Sequence, residues 1–466
     1  MTILGQEFGP GRVSVTVSDA RGIGHTATPL FAAAGQVNVI LPCSVPSGEA
    51  RLVVTVDGRS TEHSEPFYVV NQNFQLFTRN QRGFGPAIAE NLGEEGSQLN
   101  SVLSPAGPGR LVALWGTGLG TCEPESARPV TVWVGGRVAL ALSRQATGIP
   151  GIERLVVLLP LSVPTGCFVP VAVRAGREFS NGASMSVGID SRGCADKMNG
   201  FSLVTPALRN GPLPWARIQL LRGAATTERP GIVILQTSSE QGEAGFVRST
   251  PETLGDGVQY PPLGSCLVRP LGSVGRAGTA LDAGQLTLQG PWDLAILPDR
   301  EDGIYRRRLA PTPFDNRTGD FIRPESRYVV AGQGGRQVGP FQAAVTIPRF
   351  LDWNNREELP FVLERSGPVV VKWSGGSPTR EVAVVRGFSF DRRINRGREF
   401  LCTEAVDAGT FRLPEAVIAS LPSTGQDFFL SVGNMPILAR PDFQAAGIEA
   451  GFFSYETATG RNFALQ

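Results

Sequence analysis

Histidine, the usual general base of enzymes, occurs only twice in the 466 residues, as His25 and His63. A Ser-His-Asp or Cys-His centre needs a base held beside its nucleophile, so the long remainder of the chain excludes such a centre. Neither histidine has a partner motif, and both are expected in loops or on the surface. Six cysteines without a C-x-x-C pair also exclude the common zinc sites. We therefore assign no catalytic, cofactor-binding or metal-ligating residue.

Carboxylates offer the next chemistry. The stretch "PDREDGIY" clusters Asp299, Glu301 and Asp302. A calcium loop needs several oxygens at fixed offsets; the first positions fit in part and the others are missing, while an acidic hairpin turn at Gly303 fits equally well. A glycosidase pair needs two carboxylates about 5–10 Å apart, and 42 acidic residues offer too many combinations to select one. A hydrolase with a carboxylate site in residues 195–466 therefore stays the second alternative.

Tryptophans could form a platform on which a sugar ring stacks. Trp133 alternates out of phase with Val132 and Val134, so it is predicted to face solvent and is the candidate ligand-binding residue. Burial in a core or between domains is expected for most tryptophans, because the side chain buries so much area. The six are Trp115, Trp133, Trp215, Trp292, Trp353 and Trp373.

Charge and hydropathy exclude two classes of partner. The net charge of +1 supplies no basic field, so nucleic-acid binding is not expected. No apolar run approaches the roughly 18 residues that span a bilayer, so membrane insertion is not expected either. Met1 is followed at once by "TILGQEFGP", which resembles the middle of a domain. We therefore expect that the N-terminus is truncated and that a signal sequence was lost with it.

An unusual phrase occurs twice, as "LPCSVPSG" at 41–48 and as "LPLSVPTG" at 159–166. The match extends from "QVNVILPCSVPSGEARLVVTVDGRS" to "RLVVLLPLSVPTGCFVPVAVRAGRE", 118 positions later (Gln36 against Arg154). Upstream, "ILGQEFGP" lies against "LWGTGLGT" at an offset of 111 (Ile3 against Leu114). A repeat of this length indicates a duplicated domain.

Both copies have the pattern of half-buried strands. Valines alternate with other residues in "VSVTVSD" and "VTVWVGG", and glycine-rich turns follow at short intervals. This favours a β-sandwich. The repeated phrase is predicted to be the return between sheets: Pro42 and Pro160 end a strand, and Gly48 and Gly166 supply a turn. "GTGLGT" is not predicted to bind phosphate, because a second strand rather than a helix follows it.

The order of "GTGLG", "VTVWVGG", "LLPLSVPTG" and "VPVAVRAG" resembles the IPT/TIG branch of immunoglobulin-like domains. It is more similar to an uncharacterised C-terminal domain family of exported proteins from Solibacter-type soil bacteria. The stretch "FQLFTRNQRGFGPAIAENLGEEGSQLNS" resembles the linking segment of that family, and the β-rich remainder resembles tails of the same proteins. The resemblance implies an immunoglobulin-like fold and export, and it carries no catalytic residue.

We therefore predict an all-β protein: tandem immunoglobulin-like β-sandwiches followed by one or two further β-sandwich-like domains. The expected boundaries are 1–72 for a truncated first domain, 73–108 for a bridge, 109–190 for the second domain, 195–348 for a β-rich domain, and 349–466 for a C-terminal β-rich domain.

Disulfides are expected in an exported β-protein. In an immunoglobulin-like sandwich, Cys167 after the return and Cys194 after the last strand lie at the same pole, which predicts a Cys167–Cys194 bond. Cys122 is expected at the opposite pole, beyond the roughly 7 Å that a disulfide allows between Cα atoms. A Cys266–Cys402 bond is the second prediction. The pairing of Cys43 and Cys122 stays open, and Cys43 can be unpaired.

These observations favour a non-enzymatic exported or cell-surface protein that acts as a scaffold or as an adhesion or binding module. The partner is unknown, with a polysaccharide or another surface protein as the options. A carbohydrate-binding module is the first alternative.

Overall fold

The computed structural model describes all residues except 7, 10, 62–63, 121–129, 190–192, 202–205, 230–231, 258, 274, 276, 292–293, 298–303, 310–319 and 393–395. Strands make up nearly all of the regular secondary structure in the described part, which confirms the all-β prediction. Its one α-helix, α1 (Glu415–Ser420), has six residues. No described helix has the length and apolar character needed to cross a membrane.

The first sandwich takes up the N-terminal 69 residues. Alternate valines of "VSVTVSD" point inward, and Val15 and Val17 are fully buried, as period-two alternation predicts. They pack with Phe8, Val39 and Val54 in a small core of their own. The strands are β1 (Thr2–Leu4), β2 (Val13–Asp19), β3 (Gly24–Ala33), β4 (Gln36–Ile40), β5 (Gly48–Val56), β6 (Arg59–Ser60) and β7 (Phe67–Val69).

The second sandwich repeats this topology. The strand order β1-β4-β3-β2-β5-β6, with β7 on β5, has its counterpart in β11-β14-β13-β12-β15-β16, with β17 on β15. The duplication read from the sequence is therefore a duplication of the fold. The strands are β8 (Gln75–Leu76), β9 (Ala89–Gly93), β10 (Gly96–Leu99), β11 (Leu111–Thr117), β12 (Val130–Val134), β13 (Arg137–Ala146), β14 (Glu153–Leu158), β15 (Gly166–Ala175), β16 (Glu178–Phe179) and β17 (Ala183–Val187).

The repeated phrase connects β4 to β5 and β14 to β15. In each copy the valine of the phrase donates its backbone N–H to the carbonyl of the strand-ending proline, Val45 to Pro42 and Val163 to Pro160, both at 3.1 Å. The two glycines differ. Gly48 has a φ of 136°, as a turn glycine should. Gly166 has no positive φ, and a Cβ there would lie 2.9 Å from Pro262, so close packing explains this glycine.

The segment expected to be a bridge, 73–108, belongs to the second sandwich. Its strands β8 and β9 both pair with β11, and Phe74, Ala87 and Ala106 lie in the second core. "GTGLG" makes this possible, because a Cβ on Gly118 would lie 2.3 Å from the Asn73 carbonyl oxygen. The repeat alignment located β11 correctly but could not show that the preceding chain folds back onto it.

The C-terminal region contains two cores under one long sheet. Its eleven strands run in the order β20-β31-β30-β33-β35-β18-β19-β21, with β24 on β19 and both β28 and β34 on β35. The strands of the region are β18 (Leu213–Arg229), β19 (Ile232–Ser249), β20 (Ser265–Pro270), β21 (Thr279–Ala280), β22 (Leu286–Gln289), β23 (Leu294–Leu297), β24 (Ile304–Arg308), β25 (Ser326–Gly332), β26 (Phe341–Ile347), β27 (Asp352–Trp353), β28 (Val362–Leu363), β29 (Val370–Ser374), β30 (Glu381–Asp391), β31 (Arg396–Ala405), β32 (Thr410–Arg412), β33 (Thr424–Pro436), β34 (Phe443–Ala445) and β35 (Ile448–Leu465).

A boundary near Pro348 separates neither the cores nor the strands, because the first core also contains Phe443, Phe453 and Tyr455 from after it. The first core lies between the long sheet and the sheet β23-β22-β25-β26, and the second lies between the long sheet and β27-β29-β32. Strand β20 comes from before the expected boundary and pairs with β31, which follows it. Strand β35 comes from after the boundary and pairs in parallel with β18. The expected division into 195–348 and 349–466 therefore gives way to two interlocked sandwiches.

An apolar cluster, which we call the junction core, joins the second sandwich to the long sheet. Phe168, Phe201 and Trp215 stack edge to face through it, with ring centroids 5.7 and 5.5 Å apart. All three side chains are buried. The cluster consists of Val102, Cys167, Phe168, Cys194, Phe201, Leu208, Leu213, Trp215, Val247, Leu254, Leu438, Ala450 and Phe452.

Candidate functional site

The described disulfides match both predicted pairings. Cys167 and Cys194 are bonded with their Cα atoms 5.1 Å apart, and Cys266 and Cys402 are bonded with their Cα atoms 4.0 Å apart. Cys43, which the sequence left open and allowed to be unpaired, is disulfide-bonded. The expectation for Cys122 lies outside the described residues. The disulfides therefore cross-link the fold, and the described part of the chain contains no free thiol that could act as a nucleophile.

Asp196 holds the loop that follows the first of these bonds. Its buried carboxylate accepts hydrogen bonds from the backbone N–H groups of Met198 and Asn199 at 3.0 Å and of Cys167 at 3.3 Å. The Asn199 side-chain amide adds a fourth at 2.9 Å. Burial raises the pKa of Asp196, although these four bonds oppose the shift. This carboxylate therefore has a structural explanation and does not point to catalysis.

Replacing Asp196 with Asn should lower the free energy of unfolding by about 2 kcal/mol, because two buried N–H groups then face an amide NH₂ instead of an oxygen. Urea denaturation of the variant beside the wild type would measure this loss. Equal stability of the two proteins would contradict the assigned role of the carboxylate.

Most of the described tryptophans are core residues. Trp215, Trp353 and Trp373 are buried, whereas Trp115 and Trp133 are half-buried. The latter two lie on strands separated by β14 and β13, so they form no common platform. Trp292 lies outside the described residues. The pattern expected of a carbohydrate-binding module, several coplanar tryptophans on one sheet, is not found among the described tryptophans.

Trp133 itself lies on the outer side of β12, as its phase predicts. The Arg174 guanidinium lies over its ring, 5.8 Å from the centroid, and Phe179 lies beside it at 6.1 Å. Val138, directly opposite on β13, is 63% exposed. The indole is therefore accessible only in part, with one face already occupied by an arginine.

His25 lies within a group that its sequence position did not reveal. Its Nδ1 lies 3.1 Å from the Ser44 hydroxyl, and its Nε2 lies 3.6 Å from Asp19 Oδ2. The carboxylate is already engaged, because it accepts the N–H groups of Arg21 and Ile23, and the Ile23 bond lowers its pKa. Ser44, His25 and Asp19 are therefore the residue types of a catalytic triad without its geometry. In a triad the carboxylate accepts a hydrogen bond from the histidine, and here the two groups are too far apart for one. His63 lies outside the described residues.

The acidic cluster Asp299, Glu301 and Asp302 also lies outside the described residues. Within the described part, no group of three or more histidine, cysteine or acidic side chains is arranged to hold a metal ion.

The outer face of the long sheet carries a cluster of buried charged and polar side chains. Arg386 on β30 donates to Glu456 on β35 through Nε and through Nη2, the latter at 2.6 Å. Tyr260 is fully buried and donates its hydroxyl to Glu456 Oε2 at 2.7 Å. The guanidinium groups of Arg217 and Arg386 lie over the Tyr260 ring, at 5.0 and 5.7 Å from its centroid. Chain segments from four separate parts of the sequence therefore meet around one carboxylate.

The electrostatics of this group favour a permanent ion pair. Burial alone would raise the pKa of Glu456, but attraction to Arg386 and the hydrogen bonds from Arg386 and Tyr260 bring it below its ordinary value. Burial and the nearby Glu456 charge raise the pKa of Tyr260. Neither group is thereby poised to exchange protons near neutral pH, so the pair orients side chains and does not act as an acid or base.

A cleft opens beside this ion pair, over strands β20, β31, β30 and β33. We call it the Phe388 cleft. It has a volume of about 110 Å³. Phe388 and Phe429 stack at its edge with centroids 5.3 Å apart, and Arg269 donates to Glu399 across it. Its polar lining is supplied by Arg269, Arg386, Glu399 and Ser431.

A second depression of about 320 Å³ lies at the ends of β30 and β33. It contains Asp391 and Asp427, and Arg392 holds Asp427 through two hydrogen bonds of 2.8 and 3.2 Å. Arg392 is largely exposed, so this is an open surface and not the deep cleft that a carboxylate hydrolase requires.

Comparisons with known proteins find only remote structural likenesses. No known protein family matches the chain, and no curated protein does. Among solved structures, it is similar to the Bacteroides ovatus mixed-linkage glucan utilization locus protein SGBP-B, solved in complex with a mixed-linkage heptasaccharide, at 10% identity, over 90% of this chain and 86% of that one, with a TM-score of 0.17. The immunoglobulin domains 1–5 of Sidekick-1 match at 10% identity over 100% of this chain and 95% of theirs, with a TM-score of 0.14.

The fibronectin domains FN1–FN3 of chicken CNTN1 match at 10% identity over 73% of this chain and 91% of theirs, with a TM-score of 0.12. Likenesses of this size carry no argument about function. The chain is an all-β protein of two tandem sandwiches that share one topology, followed by two further sandwiches that share a sheet.

Proposed function

We propose that this chain is a non-enzymatic exported or cell-surface protein that acts as a rigid scaffold and binding module. We also propose that its first two sandwiches are of the IPT/TIG type found in the Solibacter-type family that the sequence resembles. The observation that carries the proposal is the junction core. It fixes the second sandwich to the long sheet through buried aromatic rings and the Cys167–Cys194 bond.

A rigid junction of this kind suits a protein that holds its binding surface in a fixed position relative to its other domains. Interfaces between domains of one chain are commonly polar and permit relative motion. Here the junction is an apolar core, and hydrogen bonds flank it, from Asn80 to Asp256 at 2.9 Å and from Ser184 to Gln259 at 3.2 Å. Disulfides at buried positions further suit an oxidising compartment.

Spin labels on either side of the junction test the rigidity. With Val138→Cys and Val362→Cys labelled, both at exposed positions, the wild-type background should give one narrow distance distribution. Phe201→Ala should broaden it, because removing a buried ring from such a cluster costs about 3–5 kcal/mol. Phe388→Ala, which removes a partly exposed ring elsewhere, is the matched control and should leave the distribution narrow. A broad distribution in the wild-type background would contradict the scaffold proposal.

A reactive-serine probe tests the non-enzymatic part of the proposal. Ser44 should not be labelled by a fluorophosphonate, because the Asp19 carboxylate lies 3.6 Å from His25 and is committed to its own turn. Mass spectrometry of the treated protein checks this, with Ser44→Ala as the control. Specific labelling that is lost in Ser44→Ala would show an activated serine and would overturn the proposal.

Carbohydrate binding is the second candidate function. The observation that favours it is a pair of stacked aromatic side chains on an open sheet face, Phe388 with Phe429 on the long sheet. Aromatic rings bind sugars through the apolar faces of pyranose rings. A glycan array probed with the whole chain tests this function, and an array without specific signals would remove it.

A further inference from the structure

We infer that the Phe388 cleft binds a single uncharged pyranose ring, such as one residue of a neutral polysaccharide. This inference rests on the proposed binding function and names its location and ligand class. It places the site on the long sheet and not at Trp133.

The cleft lies beside a covered part of the sheet face. Next to it, Tyr260 lies over the sheet and is fully buried, and the second sandwich packs so closely that a Cβ on Gly182 would overlap the Val268 carbonyl. Phe388 is nevertheless 37% exposed. Its accessible ring, stacked with Phe429, is the apolar contact that we assign to the ligand.

Size and shape limit the ligand to one ring. A volume of about 110 Å³ is well below the several hundred Å³ of a pocket for a drug-sized molecule. The stacked rings of Phe388 and Phe429, tilted by 29°, present an apolar wall on one side. A pyranose ring has an apolar face of C–H bonds and a rim of hydroxyl groups, so it matches one apolar wall with a polar edge opposite.

The polar edge can bond hydroxyl groups. Arg269 donates through Nε to Glu399, and among the described residues its Nη nitrogens have no protein partner. Arg386 uses Nε and Nη2 on Glu456, which leaves Nη1. Guanidinium donors beside a carboxylate acceptor suit vicinal hydroxyls, each of which both donates and accepts.

Charge pairing favours an uncharged ligand. Each arginine of the cleft already has a carboxylate partner, Glu399 for Arg269 and Glu456 for Arg386. An anion would compete with these partners, and a cation would meet the two guanidinium groups. A neutral polyol gains hydrogen bonds without displacing either ion pair.

Saturation-transfer NMR with methyl glycosides tests the inference on the whole chain. The probes are methyl glucoside, galactoside, mannoside and xyloside, with glucuronic acid as the charged comparison. At least one neutral glycoside should receive saturation at its ring C–H protons and bind with a Kd of about 1 mM, as expected for so small a ligand. Phe388→Ala should weaken this binding by up to about tenfold, the effect of losing one aromatic contact.

Trp133→Ala is the matched control and should leave the Kd unchanged. The partial exposure of Phe388 makes its truncation safe for folding, which a thermal unfolding curve checks. Absence of transfer to all four neutral glycosides, preference for glucuronic acid, or loss of binding in Trp133→Ala instead would each overturn the inference. None of these results changes the expected spin-label distances. The scaffold proposal is therefore tested independently of the sugar-binding inference.

Discussion

An Arg386→Ala variant is expected to lose about 3 kcal/mol of its free energy of unfolding. Truncation leaves the Glu456 carboxylate, which is 7% exposed, without the guanidinium that bonds both of its oxygens. Breaking a buried ion pair by removing one partner costs about 3–5 kcal/mol. The lower end applies here, because the Arg386 side chain is 30% exposed and water screens part of the interaction. Urea denaturation at neutral pH measures the loss.

A double variant separates the contribution of charge to stability from the contribution of side-chain packing. Arg386→Met with Glu456→Gln removes both charges, and its Gln carbonyl can still accept the Tyr260 hydroxyl. Its stability should lie within about 1 kcal/mol of the wild type, because removing both partners strands no buried charge. If the double variant were as unstable as Arg386→Ala, side-chain packing and not charge would explain the loss.

The Arg386–Glu456 ion pair also predicts how the free energy of unfolding changes with pH. The pKa of Glu456 is lowered in the folded protein, so its contribution is present above the unfolded pKa of about 4.3 and is lost as the pH falls through the lower folded value. Wild-type stability should therefore decline below about pH 4. Arg386→Ala should lack this part of the decline. Parallel acid titrations of the two proteins, followed by circular dichroism, check the difference.

Local features of the sequence explain why the first two sandwiches could be predicted. The alternating valines of β2 and β12 and the prolines of the repeated phrase act over a few residues, and each copy supports the interpretation of the other. The Cys167–Cys194 pairing then follows from the topology, because Cys167 lies at the start of β15 and Cys194 follows β17, which pairs with β15. What local patterns could not show is the partner of each strand, so the segment 73–108 was expected outside the sandwich whose sheet it joins.

The C-terminal site could not be predicted for the same reason. Tyr260 and Glu456 are 196 positions apart, and Arg386 lies between them in the sequence. None of the three has a motif. Tyr260 lies outside any strand, before β20, and Arg386 on β30 reaches Glu456 on β35 only because β33 pairs with both strands. The signal that was present is weak: polar residues occur at the outward positions of long strands that are otherwise apolar.

The second large effect is expected for the Cys266–Cys402 bond. Replacing both cysteines with Ala should lower the free energy of unfolding by about 4–5 kcal/mol. The bond closes a loop with a sequence separation of 136, against 27 for Cys167–Cys194. In the chain-entropy account, the longer loop is worth about 5 kcal/mol and the shorter about 3.6 kcal/mol.

The position of the bond gives a reason to expect the full effect. Strand β20 is at the edge of the long sheet and, among the described strands, pairs with β31 alone, and the bond joins residues directly opposite each other in that pair. Without it, β20 is held by one ladder of backbone hydrogen bonds, by the Arg269–Glu399 ion pair and by the packing of the second sandwich against Val268. Because β20 also supplies Arg269 to the Phe388 cleft, sugar binding should weaken together with stability. Denaturation of Cys266→Ala/Cys402→Ala beside Cys167→Ala/Cys194→Ala tests the order: a larger loss in the second variant would show that local packing, and not loop length, sets the contribution of each bond.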